Sequence, residues 1–196
     1  VVAGYDFVSD ASRARDGNGR DSNPADNGDW VKAGDCGTDL LGNPVPPKDQ
    51  NSSWHGTHVA GTIGAATNNA KGVAGIAYDA RIQPIPVLAQ CGGSTSDIAD
   101  AIVWASGGTV SGVPANPTPA KVVNMSLGGQ SACSSTYQNA INSAVGRGTT
   151  VVVAAGNSNA DVSGFTPASC NNVIAVAASS REGNRAYYSN YGAKVD

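Results

Sequence analysis

His55-Gly56-Thr57-His58-Val59-Ala60-Gly61-Thr62-Ile63-Gly64-Ala65 is the stretch whose reading decides the fold. Two histidines stand one helical turn apart at the head of a run of small residues. The spacing predicts a helix over 55–66. Gly56, Gly61 and Gly64 each weaken a helix, so their presence predicts a second backbone lying close to it. His55 follows a long polar loop and opens the helix. A general base needs such a place, on a rigid support at the edge of a cleft. His58 lies one turn on and is read as a structural, hydrogen-bonded residue. His-x-x-His without a third ligand nearby makes a poor metal site.

Outward from this helix, apolar runs alternate with helical patterns. Arg81 to Leu88, Lys121 to Met125, Thr150 to Ala154 and Val173 to Ala177 are short and rich in β-branched residues, and Val1 to Val8 reads as a further strand. Val122-Val123 and Val151-Val152-Val153 are continuous rather than alternating, which predicts strands buried on both faces and a parallel sheet. Ser94-Thr95-Ser96-Asp97 opens a helix with a capping-box pattern. Its apolar face is Ile98, Ala101, Ile102 and Ala105, and Gly107-Gly108 stops it. A second helix is predicted near Ser135 to Val145, with Tyr137, Ala140, Ile141, Ala144 and Val145 inward. The expected class is α/β, a three-layer α/β/α fold with a mainly parallel sheet. Asp10 to Trp54 is a long loop that needs a tether. Ser111 to Ala120, with Pro114, Pro117 and Pro119, is a rigid connection.

Composition narrows the function classes. The 196 residues carry a net charge of -3, with no Lys/Arg cluster to form a basic stripe, so nucleic acid is not an expected partner. No apolar run approaches the ~18–20 residues of a membrane helix. No Gly-x-Gly-x-x-Gly or Walker loop opens a helix, which argues against a nucleotide-binding domain. Four dispersed cysteines, Cys36, Cys91, Cys133 and Cys170, form no Cys-x-x-Cys pair. They suit two disulfides and an oxidising compartment, with free buried thiols as the alternative. Of three possible pairings, Cys36–Cys91 and Cys133–Cys170 is favoured, because each pair brackets one half of the chain.

His55 to Gly61, Asn124-Met125-Ser126-Leu127-Gly128-Gly129 and Ala154-Ala155-Gly156-Asn157 occur in this order. Together they resemble the middle of a subtilisin-like serine protease. The resemblance implies that His55 is the general base and Asn157 the donor to the tetrahedral oxyanion. It makes Ser126, Leu127 and Gly128 one wall of a cleft, with Gly92 and Gly93 on the other. An extended protein or peptide substrate would pair with both walls by β-augmentation. Ala154, Ala155 and Gly156 would floor a specificity pocket with room for a large apolar side chain. A propeptide or inhibitor would fit the same cleft. The expected protein is a secreted monomer, and the rival reading is a non-catalytic peptide-binding domain of the same fold.

Calcium is the expected cofactor. Asp16, Asp21, Asn23 and Asp26 set hard oxygens two to five residues apart, and related proteases carry calcium in the loop before the histidine. A second loop resembles the family's other calcium site. There Asn69 would give a side-chain oxygen, with backbone carbonyls of Thr67, Lys71 and Val73 around it. The family's Asp-Thr-Gly and Gly-Thr-Ser-Met-Ala motifs are missing, and the sole methionine is Met125. Residues 1–196 are therefore expected to be part of a single catalytic domain, incomplete at both ends. Alone they should be inactive, since Ser and His act as a unit.

Overall fold

The computed structural model describes residues 1–196. The chain divides into two compact units, Val1–Ile98 and Ala99–Asp196.

The first unit is mostly irregular backbone around helix α2, His55–Gly64. A short helix α1, Ala11–Ala14, starts at Asp10, whose side chain accepts from Ser12 N. The long loop is tethered as its length demands. Asp6 and Asp21 exchange backbone hydrogen bonds, Val31 pairs with Gln50, and Thr38 pairs with Pro44. Arg20 reaches the buried Asp97 at 2.6 Å, and Arg15 stacks 3.8 Å over the Trp30 ring. The Cys36–Cys91 disulfide closes the loop, with Cα atoms 5.4 Å apart.

Arg81 to Leu88 does not form a strand. Pro84 and Pro86 have no N–H to donate, so a regular ladder cannot run through them. The segment is extended and joins the N-terminal run through Val2 N→Ile82 O and Phe7 N→Pro86 O. Val1 to Val8 likewise makes only an isolated bridge, at Asp6. A second backbone lies close to α2 at its C-terminal end, where a Cβ at Gly75 would come within 2.6 Å of Gly64 Cα and Ala77 N donates to Ile63 O, whereas Gly56 and Gly61 depart from expectation. A side chain at Gly64 would meet Ile82, but nothing lies within 4 Å of the Cβ position at Gly56 or Gly61. No residue of α2 is buried.

Helix α3, Thr95–Ala105, runs from the end of the first unit into the second. Ser94 Oγ accepts from Asp97 N at its start, and Ile98, Ala101, Ile102 and Ala105 are buried as the periodicity requires. Within the second unit, Trp104 Nε1 donates to Pro114 O, and Asn116 Nδ2 donates to the carbonyls of Trp104 and Ala105. These bonds dock the proline-rich connection against the helix end.

The second unit is built on a parallel sheet in the order β1-β3-β5, where β1 is Val122–Met125, β3 Thr150–Ala154 and β5 Ile174–Val176. Val123 aligns with Val151, and Val153 with Ala175. Helix α4, Ser135–Gly146, packs against β3 and buries Tyr137, Ala140, Ile141 and Ala144. Val145, expected inward, lies at the edge of this stripe and is 37% exposed. Burial of the strands alternates: Val151 and Val153 are buried, while Val122, Ile174 and Val176 stand open. The face carrying Val151 and Val153 is buried, while Val123 and Val152 are half-buried. A two-stranded antiparallel ribbon joins β2, Gly129–Gln130, to β4, Phe165–Thr166. A 3-10 turn, Val162–Gly164, precedes β4. Cys133–Cys170, with Cα atoms 5.1 Å apart, fastens the N-terminal side of α4 to the segment after β4. No helix is long and apolar enough to cross a membrane.

Candidate active site

His55 is the first residue of α2 and is exposed. The helix lacks a capping side chain at Trp54 and has no acidic residue in its first turn. A residue 26 positions upstream replaces both. Asp29 Oδ1 accepts from Ser53 N at 2.6 Å, Asp29 Oδ2 accepts from Ser53 Oγ at 2.7 Å, and Ser53 Oγ accepts from His55 N at 3.2 Å. Burial pushes the Asp29 carboxyl up, but the two bonds from Ser53 and the nearby His55 hold it below the usual carboxylate range. Its negative charge lies where the helix start favours one. His58 is exposed and its ring has no hydrogen-bond partner, so the structural role expected of it is not present.

Gly92 and Gly93 follow a tight turn. Ala89 and Gly92 exchange backbone hydrogen bonds at 3.0 Å, and Cys91 and Gly92 adopt positive φ of 65° and 96°. A Cβ at Gly93 would strike the Val87 carbonyl, so only glycine fits against that backbone.

In the second unit the predicted residues converge. Ser126, Leu127, Gly128, Ala154, Ala155, Gly156 and Asn157 all line one cavity of about 280 Å³. Strands β1 and β3 are parallel neighbours, so their C-terminal exits open side by side, where open α/β sheets place ligands. Asn157 leaves β3 three residues after Ala154 and is exposed. Its amide makes no hydrogen bond within the protein, so both its N–H groups are available to a ligand. The remaining wall was not visible in the sequence. It is the β2–β4 ribbon, with Gln130 paired to Phe165 and Gly129 to Thr166. Two-residue strands carry no periodicity to read.

The calcium residues divide. Asp16 Oδ2 is buried with no hydrogen-bond partner, an oxygen suited to a cation. Asn18 donates from its backbone to Asp16 Oδ1 and from Nδ2 to Asp21 Oδ2, bonding to both carboxylates. Asp6 is pushed up to about 6, by burial first and then by the charges of Asp16, Asp21 and Asp97. Asp26 is turned elsewhere, accepting from Gly28 N and Thr57 Oγ1, while Asn23 accepts from Ala25 N. No group of three or more His, Cys, Asp or Glu side chains is gathered to hold a metal. In the second loop Asn69 Oδ1 accepts from Lys71 N, and Thr67, Lys71 and Val73 are exposed.

The model of the subtilase family, Peptidase_S8, matches residues 26–196. The chain belongs to the subtilase family. It is 65% identical over all 196 residues to an extracellular protease of Xanthomonas campestris pv. campestris, of which it covers 33%. It is 53% identical to an extracellular basic protease of Dichelobacter nodosus, covering 32% of that protein. Among solved structures, proteases from Pseudoalteromonas arctica superpose on the whole chain with a TM-score of 0.93 at 58% identity, and the chain covers 55% of that structure. This subtilase chain thus spans about a third of the length of the curated relatives it matches. Its α/β fold with a mainly parallel sheet is the subtilisin-like one.

Proposed function

We propose that this chain supplies the general base, the oxyanion donor and the substrate walls of a secreted serine endopeptidase, within a single catalytic domain. The observation that carries the reading is Asn157. Its exposed, unpaired amide stands on the rim of the cavity beyond the exits of β1 and β3. An oxyanion donor needs that position, preorganised and free of competing bonds. Names of relatives that include the word extracellular support secretion.

In this reading an incoming serine oxygen attacks the peptide carbonyl and His55 takes its proton. Asn157 donates to the oxygen that becomes negative, and His55 returns the proton to the leaving amine. Residues 1–196 contain neither Gly-Thr-Ser-Met-Ala nor Asp-Thr-Gly, so this reading takes the nucleophile and its Asp partner from outside them. In this reading the substrate is an extended peptide that Ser126, Leu127 and Gly128 bind, and Gly92 and Gly93 bind it as well. A propeptide or inhibitor would take the same path, and the protein acts as a monomer. The 280 Å³ cavity above Ala154, Ala155 and Gly156 takes a bulky apolar side chain, with Phe165 to pack on it.

Calcium enters as a stabilising ion. Asp16 and Asp21, both bonded to Asn18, would hold it, and it would neutralise the carboxylates around Asp6. The set fits only at the Asp16 end, since Asp26 is bonded to α2 and the Asn69 loop has no acidic member.

A fluorophosphonate reagent tests the reading on the protein that carries this chain. Its serine oxygen should form one O–P bond with loss of fluoride, seen as one adduct in the intact mass. His55→Ala should stop the reaction. A folded wild-type protein that gains no adduct would sink the proposal.

A further inference from the structure

We infer that Asn190 is the positioning residue that aims Asn157, and this rests on the reading of Asn157 given above. Asn190 is fully buried. Its side chain takes hold of the loop on both sides of Asn157 without touching that residue. Nδ2 donates to the Ala155 carbonyl at 2.8 Å. Oδ1 accepts from Ser158 N at 2.9 Å and from Ala160 N at 3.2 Å. The backbone adds a fourth bond, Asn190 N→Gly156 O at 2.9 Å. Two N–H groups face one end of the amide and a carbonyl the other, so its orientation is set by its neighbours.

The consequence is geometric. Ala155 and Gly156 are held by their carbonyls and Ser158 and Ala160 by their amides, all from one residue. Asn157, between them, keeps its side chain free. Gly156 takes φ 109° to make the bend, and a Cβ there would strike Asn190 Nδ2. The clamp is itself braced. Ser189 Oγ donates to Asn190 O at 3.0 Å and accepts from Ala178 N at 2.9 Å. Arg185 Nη1 donates to Asn159 Oδ1 and Ser189 O, and its guanidinium lies 4.9 Å from the Tyr191 ring. An oxyanion donor acts only if it does not have to reorganise as charge develops. A rigid frame around an otherwise unpartnered amide meets that requirement.

A double-mutant cycle on peptide amide hydrolysis by the intact protease tests this. Asn190→Ala should lower kcat about 10- to 100-fold, as expected for a misplaced group, with KM changed less than about threefold. In an Asn157→Leu background the same change should cost less than about threefold, because the group it aims is gone. Losses that multiply across the two sites would overturn the proposal, as would an effect on KM alone. An Asn157→Leu variant with full kcat would overturn both this proposal and the reading beneath it. A normal loss at Asn157 with additive Asn190 effects would overturn this one alone. Hydrogen exchange separates aiming from general stability. In Asn190→Ala the amides of Ser158 and Ala160 should exchange faster while those of Val151 and Val153 keep their protection. Exchange raised equally at all four would contradict a local role. If Asn190→Ala does not fold, Asn190→Asp carries the kinetic predictions alone: it loses the donor to Ala155 but keeps both acceptor bonds, so the amides of Ser158 and Ala160 should stay protected in it.

Discussion

At the scale of single residues, the proposed chemistry depends on side chains that the fold leaves without partners. Asn157 and His55 are exposed and unpaired, while the groups around them are bonded. Gly156→Ala should cost about 1–3 kcal/mol in a urea melt, since it combines φ 109° with a clash on Asn190. Asp97 supplies an acid-sensitive bond. Burial raises its pKa, but Arg20 at 2.6 Å and the hydrogen bonds from Ser9 and Ser94 bring it below 3.8. A carboxyl with a lowered folded pKa stabilises above its unfolded value and loses that contribution as pH falls through the folded value. The melting temperature should therefore drop below about pH 4, and Asp97→Asn should lower it at pH 7 and flatten the acid limb. An unchanged acid limb in that variant would assign the effect to other groups.

At the scale of elements, sequence periodicity located helices better than strands or walls. The apolar stripes of α3 and α4 were legible because each residue's neighbour is three or four positions away. Arg81 to Leu88 misled because its apolar content suits a strand, whereas Pro84 and Pro86 remove the donors. Burial of the continuous valines depends on what lies over the sheet, which no local pattern encodes. The same limit hid Asp29, Phe165 and Asn190, whose contacts span 24 or more positions or belong to strands of two residues. The roles proposed for His55 and Asn157 come from the resemblance of the motifs around them, not from periodicity. The Asp29–Ser53 cap gives α2 its start, so Asp29→Ala should cost about 1 kcal/mol, read by thermal melting. A larger loss of activity than of stability would be expected too, because His55 sits on that first turn.

At the scale of the whole molecule, a cross-link braces the unit that is poorest in regular elements. Unit one is largely irregular backbone, and its disulfide spans 55 positions. Cys36→Ser with Cys91→Ser should cost about 4 kcal/mol by the chain-entropy relation, measured by chemical denaturation under identical redox conditions. If calcium sits at Asp16, a chelator should lower the melting temperature by several degrees, and Asp16→Asn should remove that difference. Equal melting curves with and without chelator would leave the loop held by its own hydrogen bonds alone.

The central claim is that Asn157 donates to the developing oxyanion, and its kcat tests it most directly. Asn157→Leu should reduce kcat for a peptide amide about 10²–10³-fold, a magnitude known from subtilisin itself, with KM and melting temperature little changed. An unchanged kcat in a folded Asn157→Leu protein would contradict the account.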